Sequence, residues 1–388
     1  MDISAIYKHP EDVVAVTSSS GSITYGELYR RSENLAKHII PAGAKRVIVY
    51  GHKEYSMVLA YVACLRAGVP YIPVSPQQPV GRRKAIASQA DAGLILCAVG
   101  RGFAGAGSAL SLNIMAVSDE APEQEVQLPD AYAEDQLAYI TFTSGSTGNP
   151  KGVQATRGNL NNYIDWMDKT IPLKPEEEGT ILNLAMFSID LSLTDIYYAL
   201  THGRTLVTTN SEIQQHLTML YPHLEKSNAA MMVLPPTLVH FMMQSNRFGR
   251  EMMPNLRVVY LSGESLHPGT VRHLLKCFDG DLTVINGYGP TEATCNVCAA
   301  QITDDMCDDR LPVGIVKDAC TTIRIMKDNE DVPVGEEGEI VLIGKSVTGG
   351  YTNDDEGGFC TIDGQPAFRT GDIGLVTEDG RLYWSYRK

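Results

Sequence analysis

The feature that most restricts this chain is a repeated switch of hydrophobic period. Through roughly the first 300 residues, short β-branched or apolar runs alternate with stretches whose apolar residues recur at helical spacing. "RVIVYG" (46–51), "YIPV" (71–74), "GLILC" (93–97), "AYITFT" (138–143), "TLVTT" (205–209), "AAMMVL" (229–234), "RVVYLS" (257–262) and "LTVING" (282–287) read as buried strands. "YSMVLAYVACLRAG" (55–68) has helical spacing and stops at Gly68, a residue suited to ending a helix. Further helical patterns cover 190–201, 212–226 and 267–278. Alternation of this kind predicts parallel sheets covered by helices. Residues 99–135 are rich in Gly, Ala, Ser, Asp and Glu with weak periodicity and read as a surface excursion. After about residue 300 come short strands with Asp-Gly and Asn-containing turns: "TTIRIM", "GEIVLIG" and "AFRTGDIGLVTEDGRLYWSYRK". These predict a small antiparallel β subdomain.

A chain of 388 residues is long for one hydrophobic core, so two or three subdomains are expected. The net charge of −14 argues against a general affinity for nucleic acid or an anionic membrane, while a few local cations can still hold a small anion. The N-terminus lacks a basic region followed by an apolar one, and no run of about 18 apolar residues occurs, so neither a secretory signal nor membrane insertion is expected. The eight cysteines are scattered, and only Cys295 and Cys298 have C-x-x-C spacing, without a second ligand pair nearby. Ordinary reduced thiols in a cytoplasmic protein are the expectation.

Three segments carry chemistry. "ITFTSGSTGNPKGV" (140–153) runs from a strand into a Gly/Ser/Thr loop and then Lys151. Its backbone N–H groups, hydroxyls and ammonium suit a phosphate, although it is not a Walker A loop, and a plain surface loop has the same composition. "NGYGPTEAT" (286–294) combines an amide, an aromatic ring, a Thr and a carboxylate. Tyr288 can stack on a flat base, Asn286 can read its edge and Thr291 can bond a phosphate oxygen. Glu292 can hold Mg²⁺, which prefers oxygen ligands and substrate phosphates. A structural turn is the alternative. In "FRTGD" (368–372), Asp372 can accept from two vicinal ribose hydroxyls, or the stretch is only a hairpin corner.

With these segments in this order, the chain resembles the adenylate-forming enzymes: nonribosomal peptide synthetase adenylation domains, acyl-CoA synthetases and luciferases. "ITYGEL" (23–28), "LRAGVPYIPV" (65–74), "TSGSTGNPKGV" (143–153), "IDLSLTDIY" (189–197), "NGYGPTE" (286–292), "GEIVLIGKSVTGGY" (338–351) and "FRTGD" (368–372) resemble the family's ordered motifs over essentially the whole chain. The resemblance implies an α/β fold of stacked, mostly parallel sheets with covering helices: two α/β subdomains over about 1–300 and a small β-barrel-like subdomain over about 301–388. It implies that a carboxylate and ATP give an acyl adenylate and pyrophosphate, and that the acyl group passes to a thiol. Thr143, Lys151 and Glu292 would then be catalytic, with Glu292 on the metal. Thr143, Ser144, Gly145, Ser146, Thr147, Gly148, Lys151, Gly263, Glu264, Asn286, Tyr288, Gly289, Thr291, Asp372 and Arg387 would hold the nucleotide. In the family, a hinge and a mobile C-terminal subdomain with a catalytic lysine follow the position of Arg387. The chain therefore reads as the large N-terminal core, 1–388, ahead of that hinge.

"IDLSLTDIY" narrows the branch. In amino-acid-activating members an Asp at this position pairs with the substrate ammonium, and Asp190 stands there, with Ile189 in place of the usual Phe. Helix capping is the bland alternative for Asp190. "FSIDLSLTDIYYAL", "YGH", "LPVGIVKDAC" and "LSGESL" are similar to the D-alanine–D-alanyl carrier protein ligases, which charge a small phosphopantetheinylated carrier protein. The family pattern implies a substrate pocket of Asp190, Leu191, Thr194, Val233, Tyr260, Ser262, Gly287, Cys295 and Asn296. These hold no charge besides Asp190, which implies a small, uncharged side chain. Ser262 and Thr194 replace the Cys and Met of the D-alanine ligases, so D-alanine, glycine and other small amino acids stay open. A ligase for a non-amino carboxylate and a non-catalytic nucleotide-binding module are the competing readings.

Overall fold

The computed structural model describes residues 1–100, 102–103, 109–120, 122, 125–129, 131–144, 149–353 and 357–388. Among them the strands form three sheets. The first has eight strands in the order Cys298–Ile302, Thr283–Tyr288, Val258–Ser262, Ala229–Leu234, Thr180–Asn183, Leu206–Thr208, Val14–Ser18 and Gly21–Thr24. Its interior pairs are parallel, and an antiparallel strand closes each edge. The second has six: Leu110–Asn113, Leu94–Cys97, Val47–Tyr50, Tyr71–Val74, Leu137–Ser144 and Pro150–Thr156, of which only the last pair is antiparallel.

Strand alternation divides the core into layers. In the first sheet Ile181, Met231, Val233, Val258, Tyr260 and Ile285 face inward to a shared core. The alternate residues Leu182, Met232, Leu234, Val259, Leu261 and Val284 face outer helices Leu217–Ser227 and Pro268–Cys277. The second sheet splits likewise, Val47 and Val49 toward the shared core and Ile48 and Tyr50 away from it. That is the period-two consequence of a pleated strand buried on both faces. Helices Tyr25–Ile39, Tyr55–Ala67 and Ser192–Thr201 contribute to the shared core. Tyr55–Ala67 is buried almost all round, which its nearly uninterrupted apolar sequence allows, and it ends at Gly68 with φ +71°. No helix among the described residues is long and apolar enough to cross a membrane.

The third sheet, from Gly314 onward, is antiparallel throughout. Its long hairpin pairs Gln365–Val376 with Arg381–Arg387, so "FRTGD" lies within a strand and is not a hairpin corner. Two other expectations change. Within 99–135, Leu110–Asn113 extends the second sheet and Ile114–Asp119 forms a helix, because four residues in register with Leu94–Cys97 suffice for an edge strand even without alternation. The single helix expected over 212–226 is two, Ser211–Gln215 and Leu217–Ser227, divided where His216 adopts extended geometry.

At the end of Val47–Tyr50, His52 is enclosed between Ser75 and Ser211, its Nε2 2.8 Å from the Ser211 hydroxyl. Burial, reinforced by the neighbouring Lys53 charge, pushes its pKa down to about 4. The unfolded chain then takes up this proton first, so the folded state loses stability as pH falls from the ordinary histidine value toward about 4 and retains it above that window. His52→Gln is expected to flatten the decline in urea stability across that interval, by up to ~1.4 kcal/mol per pH unit relative to the parent. Parallel pH profiles for variant and parent would show the idea wrong.

Candidate active site

Four neighbouring parallel strands of the first sheet end on the same side, and the chain leaving each forms part of one cavity of about 770 Å³. Thr180–Asn183 leads into 184–191, Ala229–Leu234 into Pro235 to Phe241, Val258–Ser262 into Gly263 and Glu264, and Thr283–Tyr288 into Gly289 to Asn296. Ligands gather at the carboxyl ends of parallel strands for this reason. A second cavity of about 370 Å³ opens toward the third sheet, with Asn286, Gly287, Tyr288, Asp372, Trp384 and Arg387 on its walls. Ser262, Gly263, Glu264 and Gly289 line both. At Gly263 φ is +89° and open space surrounds the position of a Cβ, so the dividing turn is as thin as a chain can be.

Asp190 lies on the wall of the larger cavity with Leu191, Ser262, Cys295 and Asn296. Burial raises its carboxyl above the ordinary value; the Thr291 hydroxyl pulls it back, and the charge of Glu292 adds to the rise. Leu191 precedes helix Ser192–Thr201 and offers no side-chain cap bond, while the backbone N–H groups of Leu191 and Asp190 support the charged form of the Asp190 carboxyl. Thr194, Val233 and Tyr260 are completely buried one layer back. Thr194 accepts or donates at 2.7 Å to the Tyr163 hydroxyl, which itself donates to Cys295 Sγ at 3.5 Å. Tyr260 packs under Gly287, which belongs to the smaller cavity. Ser262 donates to Asn296 Oδ1 at 2.6 Å, and Asn296 donates to Cys295 Sγ at 3.3 Å, so the polar wall is internally bonded. Thr294 and Cys295 both have positive φ, 63° and 69°, a costly backbone for residues with side chains and one that clusters at functional sites. Leu184, Met186, Leu238 and Phe241 form an apolar side of the cavity, with Gln214, Gln215, Thr237 and Glu264 also on its walls.

In the smaller cavity the buried Asp372 accepts from the Tyr288 hydroxyl at 2.9 Å, and Arg387 approaches its other oxygen at 3.8 Å. Asn286 is buried and donates to the Pro312 carbonyl at 2.9 Å, which engages one of its amide hydrogens. Glu264 accepts from the Thr237 backbone N–H at 3.0 Å and contacts the Thr237 hydroxyl, fixing it at the rim of the larger cavity.

Thr143 and Lys151 face each other across the hairpin of Leu137–Ser144 and Pro150–Thr156. The side chain of Ser144 and residues Gly145, Ser146, Thr147 and Gly148 lie outside the described residues. The Lys151 ammonium sits 5.0 Å from the centre of the Tyr351 ring, and the Tyr351 hydroxyl donates to Glu292 Oε1 at 2.6 Å. Lys151 thus reaches Glu292 through Tyr351, and Glu292 and its neighbour Thr291 both act on the Asp190 carboxyl. Tyr351 closes the motif "GEIVLIGKSVTGGY" and Trp384 follows "FRTGD" by twelve residues, but the sequence assigns neither a role; only the structure shows what their rings face.

The geometry agrees with three comparisons. The family model described as "AMP-binding enzyme" matches residues 4–352. A D-alanine–D-alanyl carrier protein ligase of Bacillus licheniformis is 35% identical over 384 residues, 96% of this chain and 75% of that protein. One from Bacillus cereus strain G9842 is 34% identical over 392 residues, covering 97% and 76%. Among solved structures, the Klebsiella oxytoca NpsA N-terminal subdomain in complex with 3-hydroxybenzoyl-AMSN superposes with a TM-score of 0.83 at 21% identity, covering 99% of this chain and 98% of that one. PA1221, a nonribosomal peptide synthetase protein containing adenylation and carrier domains, gives 0.80 at 23% identity, covering 99% and 69%. With a matching family model over most of its length and relatives above 30% identity, this chain belongs to the AMP-binding, adenylate-forming enzyme family.

Proposed function

We propose that this chain holds ATP and a small amino acid side by side, joins them as an aminoacyl adenylate, and serves the phosphopantetheine thiol of a carrier protein as acceptor. One observation carries the reading: two cavities share the wall Ser262–Gly263–Glu264–Gly289, with Asp190 in one and Asp372 in the other. An aminoacyl adenylate has its ammonium at one end and its ribose diol at the other, with the phosphoanhydride between them. The activity for which the Bacillus relatives are named, ligation of D-alanine to a carrier protein, supports both the class of acid and the class of acceptor. Such ATP-dependent work belongs in the cytoplasm.

In the reaction a carboxylate oxygen attacks the α-phosphorus, a C–O–P link forms, and the α–β bridging bond breaks with its electron pair leaving on pyrophosphate. Asp190 binds the ammonium and so aims the carboxylate at the shared wall. Asp372, steadied by Tyr288, holds the ribose hydroxyls. Lys151 and Thr143, paired across the hairpin, meet the charge that develops on the departing phosphates in this reading, as aligned cations and donors accelerate such a transfer. Among the described residues no cluster of three His, Cys, Asp or Glu could cage a metal. A lone carboxylate at Glu292 fits Mg²⁺, which binds through one or two carboxylates plus substrate phosphates and would supply charge neutralisation there. The cavity of about 770 Å³ exceeds a small amino acid, and its apolar side at Met186, Leu238 and Phe241 leaves room for the acceptor's thiol arm. D-alanine, glycine and other small uncharged amino acids all satisfy this wall.

Calorimetry with glycyl-, D-alanyl- and L-alanyl-sulfamoyl adenosine, stable mimics of the adenylate, tests the reading directly. At least one is expected to bind more tightly than AMP, and binding of AMP alone would defeat it. Asp190→Ala should weaken the preferred mimic by ~3–5 kcal/mol, as for one partner of a buried ion pair, and leave AMP unchanged. Asp372→Ala should instead weaken both by roughly 1.5–3 kcal/mol, because both carry the ribose diol. Tyr351→Phe, which removes the donor to Glu292, should weaken ATP by about 0.5–1.5 kcal/mol and spare AMP; equal losses for the two nucleotides would detach Tyr351 from the phosphate end.

A further inference from the structure

The turn at 184–191, which carries Asp190 and much of the larger cavity's wall, has no regular secondary structure and is held by few internal bonds. Ile189, Ser192 and Leu193 donate backbone hydrogens to Met186, Ile189 and Asp190. Its two ends are clasped from outside. Asn183, the last strand residue, donates to Asp195 Oδ2 on the following helix at 2.8 Å, and neither side chain is exposed at all. At the first residue of the turn, the Leu184 carbonyl accepts from the Lys53 ammonium at 2.9 Å and from Gln214 at 2.7 Å. Lys53 is only 3% exposed, an unusual place for an ammonium. Burial pushes the pKa of the Lys53 ammonium down to about 7 and that of the Asp195 carboxyl well above its ordinary value, and the charge of each offsets only part of the other's shift. Asp195 Oδ1 is buried without a hydrogen-bond partner among the described residues.

We propose that Lys53 is a positioning residue for substrate recognition: with Asp195 it fixes the path of 184–191 and thereby where the Asp190 carboxylate meets the ammonium. The buried ammonium suits the task because it does two things from one point. It donates to the turn's first carbonyl, and its charge offsets part of the burial that opposes the Asp195 carboxylate at the turn's far end. An apolar residue would do neither. The inference rests on the reading of Asp190 as the ammonium anchor, and its test separates the two.

Three variants of the full chain are compared: Lys53→Met, Asp190→Ala, and the double variant Lys53→Met/Asp195→Asn, which removes both charges and keeps an acceptor for Asn183. Each is titrated with the aminoacyl-sulfamoyl adenosine that the parent prefers and with AMP, and amide hydrogen exchange is followed. Lys53→Met is expected to weaken the mimic on the order of tenfold, the scale seen for outer groups that orient a binding side chain, with AMP affinity unchanged. Exchange at Ile189, Ser192 and Leu193 should quicken while Thr283–Tyr288 stays protected. Should the single variant fold poorly, the double variant, free of the uncompensated charge, is expected to fold yet still bind the mimic weakly. Parental affinity in the double variant would overturn the proposal, since only charge balance would then matter. Equal losses for mimic and AMP, or unchanged exchange in the turn, would overturn it too. Failure of Asp190→Ala to affect the mimic would refute the anchor itself while leaving the exchange result to judge the clasp.

Discussion

Parallel pairing of four strands is the constraint from which the site follows. Thr180–Asn183, Ala229–Leu234, Val258–Ser262 and Thr283–Tyr288 run in one direction in register, so their chains must all turn at one edge of the sheet. A parallel sheet obliges each chain to depart and return through a crossover, and the departing segments have no strand partner. Their backbone groups and side chains are free to face a ligand. Residues separated by more than a hundred positions, Asp190 and Asn296 among them, meet there for that reason alone. The antiparallel third sheet then closes the second cavity by offering Asp372 from the middle of a strand.

How much of this is legible in the sequence depends on the range of the signal. The period switches give most strands and helices, because burial on both faces of a parallel sheet leaves apolar runs that need no partner to be recognised. They do not give Leu110–Asn113, whose residues stay largely exposed and whose strand character comes from its neighbour. Motif residues such as Asp190, Lys151, Glu292 and Asp372 stand out by type and order. Depth does not: Thr194, Val233 and Tyr260 sit behind the wall, and which layer a residue occupies depends on packing of chains far apart. Lys53 is the extreme case. By type it belongs on the surface, and only the structure shows that it is buried and donates to the Leu184 carbonyl.

The electrostatics of the site favour ligands over emptiness. Asp190 carries a carboxylate that burial and Glu292 both oppose. A carboxyl raised in the folded state diminishes stability as pH climbs past its unfolded value, so this residue works against the fold at neutral pH. A substrate ammonium reverses both effects at once. The positive-φ pair Thr294 and Cys295 has the same character, a locally unfavourable arrangement kept by a well-packed surround.

The hairpin that carries Lys151 is bonded not only within the second sheet but also to residues 349–352, in the connection between strands Gly338–Ile343 and Phe359–Ile362 of the third. Gln154 donates to Gly350 and accepts from Gly349, Thr352 donates to Gly152, and the Gln154 side chain reaches the Tyr351 carbonyl. Lys151 stands one residue before that seam. A displacement of 349–352 therefore reaches the hairpin directly through backbone bonds, and a connection between two strands of one sheet doubles as a brace for the edge of another.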